Sequence, residues 1–433
     1  MMKTGLVWFR NDLRVSDNSS LYKAVSTNDK VIAVFCFDPR LFNLNQYGFR
    51  KTEVYRTKFL LESIIELKEN LAKLNITLLI YRSRPEQIIP KIIKDHFIDT
   101  VYLQKEWTRE EVIVSESVRI ELNESKVDWI ESYDQFLFHP DDIPFDIQEI
   151  PKVFTVFRKQ CEKLITVRPE VSITPLLLDN LLEDSTEIPS LKMLGFEDFQ
   201  VDSRTAFPFL GGENQVLQRI EDYFWNSKNI SFYKKTRNGL VGTEYSSKLS
   251  AWLANGSISP RTIYHQVMNY EAQVEKNQST YWLVFELIWR DFFKYISLKH
   301  GNDLFKIDGI LHKEYSWSEN KESVNRWIHG ETEEPFVNAN MIELYHTGWM
   351  SNRGRQNVAS YFAKELRLDW RIGAAYFESL LIDFDVHSNY GNWQYVAGVG
   401  NDPRDRKFNS KLQSERYDPK NKFQNLWLQP TLF

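Results

Sequence analysis

Residues 280–296 read TYWLVFELIWRDFFKYI and form the most informative predicted helix of the chain. At 3.6 residues per turn, one face of this helix carries three aromatic rings, a carboxylate and a guanidinium, from Trp282, Glu286, Trp289, Arg290 and Phe293. Both charged groups must be paired or bound to a ligand, because burying either one alone costs several kcal/mol. Two interpretations stay open: a structural ion pair in a tryptophan-rich core, or a site for a flat aromatic ligand flanked by hydrogen-bonding groups.

The sequence around this helix, from residue 209 onward, is dominated by helical periodicity. Ser, Thr or Asn stands near the start of several segments, which is typical of helix N-caps. The predicted helices cover 213–226, 259–276, 279–299, 322–329, 338–347, 351–366 and 371–382. We therefore expect an all-helical C-terminal domain.

The first 139 residues instead alternate short apolar runs with amphipathic stretches. The predicted strands are 5–9, 31–37, 76–81, 100–103 and 127–130. Helical stripes between them comprise Leu60, Leu61, Ile64, Ile65, Leu67 and Leu71, and then Ile88, Ile89, Ile92 and Ile93. This alternation predicts a doubly wound parallel sheet with helices on both faces. The 17 glycines form no Gly-x-Gly-x-x-Gly pattern, so we place no dinucleotide on this domain.

Residues 140–208 differ from both flanking regions, since nearly half of the 15 prolines fall here together with many acidic residues. Long proline-rich segments are unusual inside compact domains. We interpret this one as a connector that wraps over a domain surface and contains a short helix at 152–164. The predicted division is an α/β domain over 1–139, a connector over 140–208 and a helical domain over 209–433.

The composition is that of a globular protein, with 42% hydrophobic and 26% charged residues, but aromatic residues reach 14%. The net charge of −5 argues against a uniformly basic nucleic-acid binder. The part after residue 200 is less acidic and holds most of the 13 tryptophans, so we expect any anionic partner there.

The longest apolar run, 31–37, is shorter than the roughly 20 residues of a membrane span, and no signal-peptide core follows Met1. We expect a cytoplasmic protein that does not cross a membrane. Cys36 and Cys161 cannot build a disulfide framework, and the spacing of Cys and His suggests no metal site.

Two short segments of the helical half add hydrogen-bonding groups. They are NRGRQNVA (352–359), which places Asn352, Arg355 and Gln356 on one helix face, and DFDVHSN (383–389), which offers Asp383, Asp385 and Asn389. Metal binding by the second segment is conceivable, but helix caps and turns explain it equally well. Arg355 opposite Asp383 or Asp385 would balance charge around a heteroaromatic ring with donors and acceptors at its edge, such as a flavin.

Residues 233–250, YKKTRNGLVGTEYSSKLS, supply clustered hydroxyls, a lysine and backbone amides near a helix start. Such groups bind a phosphate without a Walker loop. The alternative is a polar loop that precedes the apolar helix 249–253.

Four stretches resemble the photolyase/cryptochrome family and, within it, the DASH cryptochromes. They are WFRNDLR (8–14), the helix 280–293, TGWMSNRGRQNVAS (347–360) and WQYVAGVGNDPR (393–404). The resemblance covers nearly the whole chain, and the motifs occur in the family's order. It implies an antenna-type α/β domain, a long connector and a helical domain that holds FAD in a folded conformation. It also implies methenyltetrahydrofolate as an antenna, contacted by Glu106.

The resemblance also assigns cofactor residues by matching position. The phosphate and ribityl contacts of FAD are assigned to Tyr233, Ser246, Ser247, Lys248, Leu249 and Ser250. The surroundings of the isoalloxazine ring are assigned to Glu286, Arg290, Asn352, Arg355, Asp383, Asp385 and Asn389, with Asn389 facing flavin N5. The proximal, middle and distal members of the family's photoreduction relay match Trp393, Trp370 and Trp317.

The activity implied by the resemblance is blue-light-driven repair of cyclobutane pyrimidine dimers by an electron from reduced FAD. Glu286 would hydrogen-bond the dimer, while Asn352 and Gln356 line its pocket. Tyr395 and Gln356 stand where duplex-repairing members have Trp and Met, which weakens stacking and favours a lesion in single-stranded DNA. Expected DNA phosphate contacts are Arg237, Arg353, Arg404, Arg406 and Lys407.

Two other functions stay open: a blue-light photoreceptor that signals by flavin photoreduction without repair, and a light-independent flavin electron-transfer protein. His387 and Tyr390 depart from the Cys and Trp usual in DASH members. His387 lies near the flavin segment and could titrate near neutral pH, but a surface or hydrogen-bonded histidine is the simpler interpretation. We expect a monomer.

Overall fold

The computed structural model describes residues 2–122, 126–402 and 404–429. The N-terminal strands are β1 (Thr4–Phe9), β2 (Lys30–Cys36), β3 (Leu78–Tyr81), β4 (Thr100–Gln104) and β5 (Asp128–Ser132). All neighbours pair in parallel, in the order β3-β2-β1-β4-β5. The predicted doubly wound sheet is confirmed, although β3 begins at Leu78 rather than at residue 76.

Helices cover both faces of this sheet, so β1 to β4 are almost wholly buried, whereas the edge strand β5 is only partly buried. The helices α1 (Ser19–Thr27) and α2 (Val54–Lys73) pack on one face, and α3 (Pro85–Asp95) and α4 (Arg109–Glu121) on the other. The predicted stripe of α2 packs inward except at Ile65, which is 44% exposed.

The segment 140–208 contains α5 (Phe154–Leu164) and contacts both halves of the molecule. Phe154 of α5 stacks on Trp289, with ring centroids 3.6 Å apart, in the core of the helical half. Further along, the side-chain amide of Asn180 exchanges two hydrogen bonds with the backbone of Val31, each 2.9 Å long. This segment therefore contacts both halves, and the predicted domain limits stay a prediction.

The helical part is built around one long central helix, α10 (Gln278–His300), which starts with a capping box between Asn277 and Thr280. The helices that precede it are α6 (Glu213–Ile220), α7 (Tyr233–Thr236), α8 (Ser250–Asn255) and α9 (Pro260–Gln273). Those that follow are α11 (Lys321–Ile328), α12 (Pro335–Thr347), α13 (Asn352–Ser360), α14 (Trp370–Leu380), α15 (Val386–Ala397), α16 (Ser410–Tyr417) and α17 (Lys422–Leu428). Single π-turns extend α6 over Glu221–Asn226 and α13 over Tyr361–Glu365.

Buried charges join the two halves. The guanidinium of Arg261 in α9 lies 2.8 Å from Asp17 and 3.1 Å from Asp134, which follow β1 and β5. Because both carboxylates belong to the loops at the carboxyl edge of the sheet, this network holds the helical half against that edge. Within the described residues, no helix is long and apolar enough to cross a membrane. The same residues contain no group of three His, Cys, Asp or Glu side chains arranged to hold a metal ion.

Candidate functional site

A cavity of about 530 Å³ lies inside the helical half, a volume typical of small-molecule and cofactor sites. Segments around α7–α8, α10, α13 and α15 form its walls. The predicted cofactor and lesion contacts that line it are Tyr233, Ser246, Ser247, Lys248, Leu249, Ser250, Glu286, Arg290, Asn352, Arg355, Gln356, Asp383, Asp385 and Tyr395. The fold therefore brings together groups from four separate stretches of sequence.

Lys248 indicates the charge of a ligand for this cavity. The residue is only 2% exposed, and its ammonium has no hydrogen-bond partner among the residues described. It lies 3.3 Å from the ring centre of Tyr245 and 4.8 Å from that of Trp349. Burial lowers the pKa of Lys248 well below its usual value. Since a buried unpaired cation is costly, an anionic group such as a phosphate fits here.

Arg219 of α6 holds the loop that leads to Lys248, although no sequence pattern marked it. Its guanidinium is 4% exposed on the side-chain scale and pairs with Glu244 at 2.9 Å. It also donates to the backbone carbonyl oxygens of Thr243, Ser246 and Ser247. These bonds satisfy the loop carbonyls on the side away from the cavity, which Ser246 and Ser247 line.

Arg355 and Asp383 form an ion pair in the cavity wall. Nη2 of Arg355 lies 2.9 and 3.0 Å from the two carboxylate oxygens of Asp383. The Ser250 hydroxyl donates to the same carboxylate at 2.7 Å. The expected pairing of Arg355 with one of the two aspartates is thus found with Asp383. The pair presents both donors and acceptors, which suits the polar edge of a heteroaromatic ring.

Asp385 pairs with a different cation, Lys294 of α10. The two charged atoms are 2.8 Å apart, and the side chains are 11% and 4% exposed. The Asp385 carboxylate also accepts a hydrogen bond from the backbone amide of Ser388 and so caps α15. Burial alone would raise the pKa of Asp385, but the Lys294 ammonium holds it well below its usual value. Asp385 is therefore a carboxylate at neutral pH.

Glu286 pairs with Arg237, not with Arg290. Oε1 of Glu286 lies 2.7 Å from Nη1 of Arg237. Arg290 instead donates to the backbone oxygens of Gln135 at 2.5 Å and Leu253 at 3.0 Å. An ion pair within α10, one of the two interpretations of this helix, is therefore not formed. Burial raises the pKa of Glu286, and the nearby Arg237 charge opposes that shift.

The expected DNA contacts fall into two groups. Arg237, Arg353 and Arg406 line the cavity, whereas Arg404 and Lys407 do not. Lys407 forms a surface ion pair with Glu365 at 2.7 Å. Three arginines therefore line the cavity and could bind an anionic polymer, although the protein as a whole has a net negative charge.

Near Arg353 the wall carries amide and aromatic groups. Nη1 of Arg353 donates to Oε1 of Gln356 at 2.9 Å, and its guanidinium lies 4.4 Å from the Tyr417 ring centre. Tyr395 packs edge-on against Trp289, with ring centroids 6.3 Å apart. Asn352 is solvent-exposed at the start of α13. This part of the wall can receive a planar group with hydrogen-bonding edges.

Asn389 is the expected cofactor residue that does not line this cavity. The residue is buried, and its Nδ2 donates to the backbone oxygen of Ala374 at 3.0 Å. The amide of Asn389 thus ties α15 to α14.

Comparison with known proteins identifies the family. The family model described as the FAD binding domain of DNA photolyase matches residues 282–432, and the model described as DNA photolyase matches residues 5–175. Cryptochrome DASH of Gloeobacter violaceus is 46% identical over 427 residues, which are 98% of this chain and 85% of that protein. This chain belongs to the photolyase/cryptochrome family, in its DASH group.

Other members of the DASH group agree. The chloroplastic/mitochondrial cryptochrome DASH of Arabidopsis thaliana is 44% identical over 98% of this chain and 75% of its own length. The crystal structure of Synechocystis sp. PCC6803 cryptochrome superposes with a TM-score of 0.93 at 45% identity, covering 98% of this chain and 88% of that one. The predicted family, fold class and FAD-binding domain are confirmed. The unpaired ammonium of Lys248 and the Arg355–Asp383 pair fit a FAD phosphate and a flavin edge.

The three tryptophans that match the family's relay belong to one hydrophobic cluster beside α14 and α15. Trp393 and Trp370 are 2% and 0% exposed, while Trp317 is half-buried. The Trp370 indole donates to the Ile307 oxygen at 3.0 Å, whereas the Trp393 indole nitrogen has no partner among the described residues. Two of the three tryptophans are thus buried and Trp317 is partly exposed, and their role as a relay stays a prediction.

A second cavity of about 160 Å³ adjoins the first and shares Leu253, Ala254, Arg290 and Asp385 with it. Glu106, the expected antenna contact, lines this cavity and accepts a hydrogen bond from Gln104 at 2.9 Å. Burial raises the pKa of Glu106. The carboxyl group is thus placed at the junction between the α/β and helical parts of this DASH-group protein.

His387 also lines the second cavity, but it is not a titrating surface group. It is 1% exposed, stacks on Trp107 with ring centres 4.6 Å apart, and hydrogen-bonds Ser297 at 2.9 Å. Burial, reinforced by the Lys294 ammonium, lowers the pKa of His387 well below its usual value. The suggestion that it titrates near neutral pH is therefore wrong, and the hydrogen-bonded alternative holds.

Glu343 of α12 is a buried carboxyl that the sequence analysis did not single out. It is 1% exposed, and neither carboxyl oxygen has a hydrogen-bond partner among the residues described. Burial raises the pKa of Glu343 to about 8, although the Lys248 and Arg355 charges oppose the shift. Its place on the buried face of a predicted apolar helix was the available signal, the same one that marked Glu286.

Replacing Glu343 with Gln is expected to change how stability depends on pH. The pKa of Glu343 is about 8 in the folded chain and near 4.5 when unperturbed, so its contribution to folding is complete below pH 4.5 and is lost as pH rises to about 8. The free energy of unfolding of the variant, relative to the wild type, should increase by about 1.4 kcal/mol per pH unit across that interval. Urea denaturation without added FAD measures this. If the difference in unfolding free energy between Glu343→Gln and the wild type does not change with pH, the raised pKa of Glu343 is contradicted.

Proposed function

We propose that this protein repairs cyclobutane pyrimidine dimers in single-stranded DNA under blue light, as a carbon–carbon lyase. The observation that carries the proposal is the cavity wall itself, which combines the unpaired Lys248 ammonium, the Arg355–Asp383 pair and the buried Glu286 carboxyl. Reduced FAD bound there would supply the light-excited electron that opens the dimer. Membership of the DASH group supports the assignment to DNA.

The residues proposed to hold FAD fall into two sets. The phosphate and ribityl set comprises Tyr233, Ser246, Ser247, Lys248, Leu249 and Ser250. The isoalloxazine set comprises Glu286, Arg290, Asn352, Arg355, Asp383, Asp385 and Asn389. Lys248 neutralises phosphate charge, while Asp383 and Arg355 fix the orientation of the ring through complementary hydrogen bonds. Asn389 does not line the cavity and would position the wall indirectly, because its amide holds α15 against α14.

Glu286 is proposed to bind the lesion as a hydrogen-bond donor. Burial raises the pKa of its carboxyl, which favours the protonated form that can donate to a dimer carbonyl. Arg237, at 2.7 Å, must share or release this carboxyl when the lesion enters. Asn352 and Gln356 offer further amide contacts, and Tyr395 offers a smaller stacking surface than a tryptophan would.

Single-stranded DNA is the preferred substrate in this proposal because its bases need not be unpaired first, which saves a few kcal/mol. The limited stacking area of Tyr395 and the polar Gln356 offset little of that cost. Arg237, Arg353, Arg404, Arg406 and Lys407 would contact phosphates. We further propose a cytoplasmic monomer with domain limits at 1–139, 140–208 and 209–433.

The second cavity is proposed as the antenna site, with Glu106 contacting methenyltetrahydrofolate. A buried carboxyl group, hydrogen-bonded by Gln104 and close to Arg10, suits a pterin-type ring with amino and amide edges. Binding there would place the antenna next to the flavin site, because the two cavities share four residues.

The test is repair of a dimer-containing oligonucleotide under blue light by protein loaded with reduced FAD. The wild type is expected to restore single-stranded substrate faster than duplex. Glu286→Ala removes the hydrogen-bond donor altogether, so repair should fall roughly tenfold, the value of about one hydrogen bond to a charged group. Glu271→Ala serves as the matched control, because Glu271 lies near the end of α9, accepts a hydrogen bond from Thr280 and does not line the cavity.

Three results would contradict this proposal. One is wild-type repair by Glu286→Ala, which would exclude Glu286 from the lesion site. Another is photoreduction of FAD without any dimer repair, which would favour the photoreceptor. The third is activity that is equal in darkness, which would favour the light-independent electron-transfer protein.

A further inference from the structure

Tyr315 lies at the solvent side of the tryptophan that ends the proposed relay. Its ring packs edge-on against Trp317, with ring centroids 5.5 Å apart and planes at 66°. Tyr315 is 40% exposed, whereas Trp317 is half-buried. Tyr315 is thus an aromatic step between Trp317 and water, and no motif of the sequence marked it.

The hydroxyl of Tyr315 has a proton acceptor beside it. Burial, followed by the charge and hydrogen bonding of Asp405, raises the pKa of Tyr315. Asp405 also pairs with Lys364, whose ammonium lies 5.5 Å from the Tyr315 ring centre. Side-chain exposure is 45% for Asp405 and 15% for Lys364, so the acceptor is in contact with solvent. A tyrosine loses an electron readily only if its proton can leave, and this arrangement provides the route.

We propose that Tyr315 is a further electron donor that reduces oxidised Trp317 and passes its phenolic proton to Asp405. One electron moves from Tyr315 to the Trp317 radical cation, which becomes neutral tryptophan. The O–H proton moves to the Asp405 carboxylate, leaving a neutral tyrosyl radical and a protonated Asp405. The inference rests on the proposed function, because Trp317 is oxidised when its electron passes inward to photoexcited flavin. Electron transfer from Tyr315 would slow recombination between the reduced flavin and oxidised Trp317, because the oxidised site moves one residue further from the flavin.

The test is transient absorption and electron paramagnetic resonance of the protein loaded with oxidised FAD, after a blue flash. Wild type should show a tryptophan radical that is replaced by a tyrosyl radical. Tyr315→Phe should lose the tyrosyl signal, and its tryptophan radical should decay by recombination. Tyr345→Phe is the matched control, since Tyr345 is 55% exposed and its ring contact within the described chain is with His346. Asp405→Asn should slow formation of the tyrosyl radical.

An undiminished tyrosyl signal in Tyr315→Phe would overturn the inference, and an unchanged rate in Asp405→Asn would overturn the role of Asp405. Failure of the relay itself is distinguishable, because it would leave no tryptophan radical after the flash. In that case azidyl radicals produced by pulse radiolysis oxidise tryptophan directly in the same protein. A tyrosyl signal that is larger in wild type and Tyr345→Phe than in Tyr315→Phe then supports the inference, and equal signals overturn it.

Discussion

Replacing Lys294 with methionine is expected to lower the free energy of unfolding by about 3–5 kcal/mol, the usual cost of leaving one partner of a buried ion pair without the other. Lys294 is 4% exposed and lies 2.8 Å from Asp385, whose carboxylate would stay buried against the cavity. Because the Lys294 charge keeps the pKa of Asp385 low, this contribution is present at neutral pH and fades as pH falls below 3.8. Denaturation in urea at pH 7 and at low pH measures both effects.

Lys299→Met is the matched control for Lys294. It removes an ammonium from the same helix, but one whose hydrogen bond within residues 2–122, 126–402 and 404–429 goes to the backbone oxygen of Ile150 at 2.8 Å. Its cost should be about 1 kcal/mol, the value of an ordinary hydrogen bond. The variant Lys294→Met/Asp385→Leu removes both charges and should recover much of the lost stability. It should not recover FAD affinity, because Asp385 is a proposed cofactor contact. An equal loss of unfolding free energy in Lys294→Met and Lys299→Met would show that the Lys294–Asp385 ion pair does not contribute more than an ordinary hydrogen bond.

Trp393→Phe is expected to abolish blue-light reduction of bound FAD, down to the rate of a protein without a relay. Trp393 is the buried tryptophan that matches the proximal relay position, and phenylalanine has no oxidation accessible to a photoexcited flavin. Repair by FAD reduced chemically beforehand should be unaffected, since the relay serves only to reduce the cofactor. The measurement is the rate of flavin bleaching under blue light with a thiol donor present.

Trp327→Phe is the control for Trp393. Trp327 is also fully buried, and its ring lies 6.3 Å from that of Trp393 in the same cluster, so both variants lose similar packing. Photoreduction should survive in Trp327→Phe. If it is lost there and kept in Trp393→Phe, electrons pass through Trp327, and the assignment of the relay is wrong.

Much of the fold could be predicted from local patterns. The strands follow from short continuous apolar runs, because helices cover both faces of the sheet. Most helices follow from the 3.6-residue repeat of burial on one helix face. The helix Val386–Ala397 was not anticipated, since its polar start reads as a loop. The structure explains that start, because Asp385 caps the helix and also pairs with Lys294.

The pairing of charges could be predicted only in part, as for Arg355 and Asp383. The sequence indicated that Glu286 and Arg290 need partners, but the partner of Glu286 is Arg237, from a separate segment. The burial of Lys248 depends likewise on how distant segments pack, and the spacing of the loop around it carries no signal for that burial. His387 shows the converse, since a residue that suggested a pH response is stacked on Trp107 and kept neutral.

The central claim is that FAD binds in the cavity lined by Lys248, Arg355 and Asp383. The most direct measurement is a titration of the purified protein with FAD, followed by absorption and by quenching of flavin fluorescence, for wild type and Lys248→Met. We expect saturable binding of one FAD per chain, with a structured flavin band, and much weaker binding by Lys248→Met, which leaves a phosphate without its buried counter-charge. A colourless protein that takes up no FAD, or equal affinity in the two proteins, would contradict it.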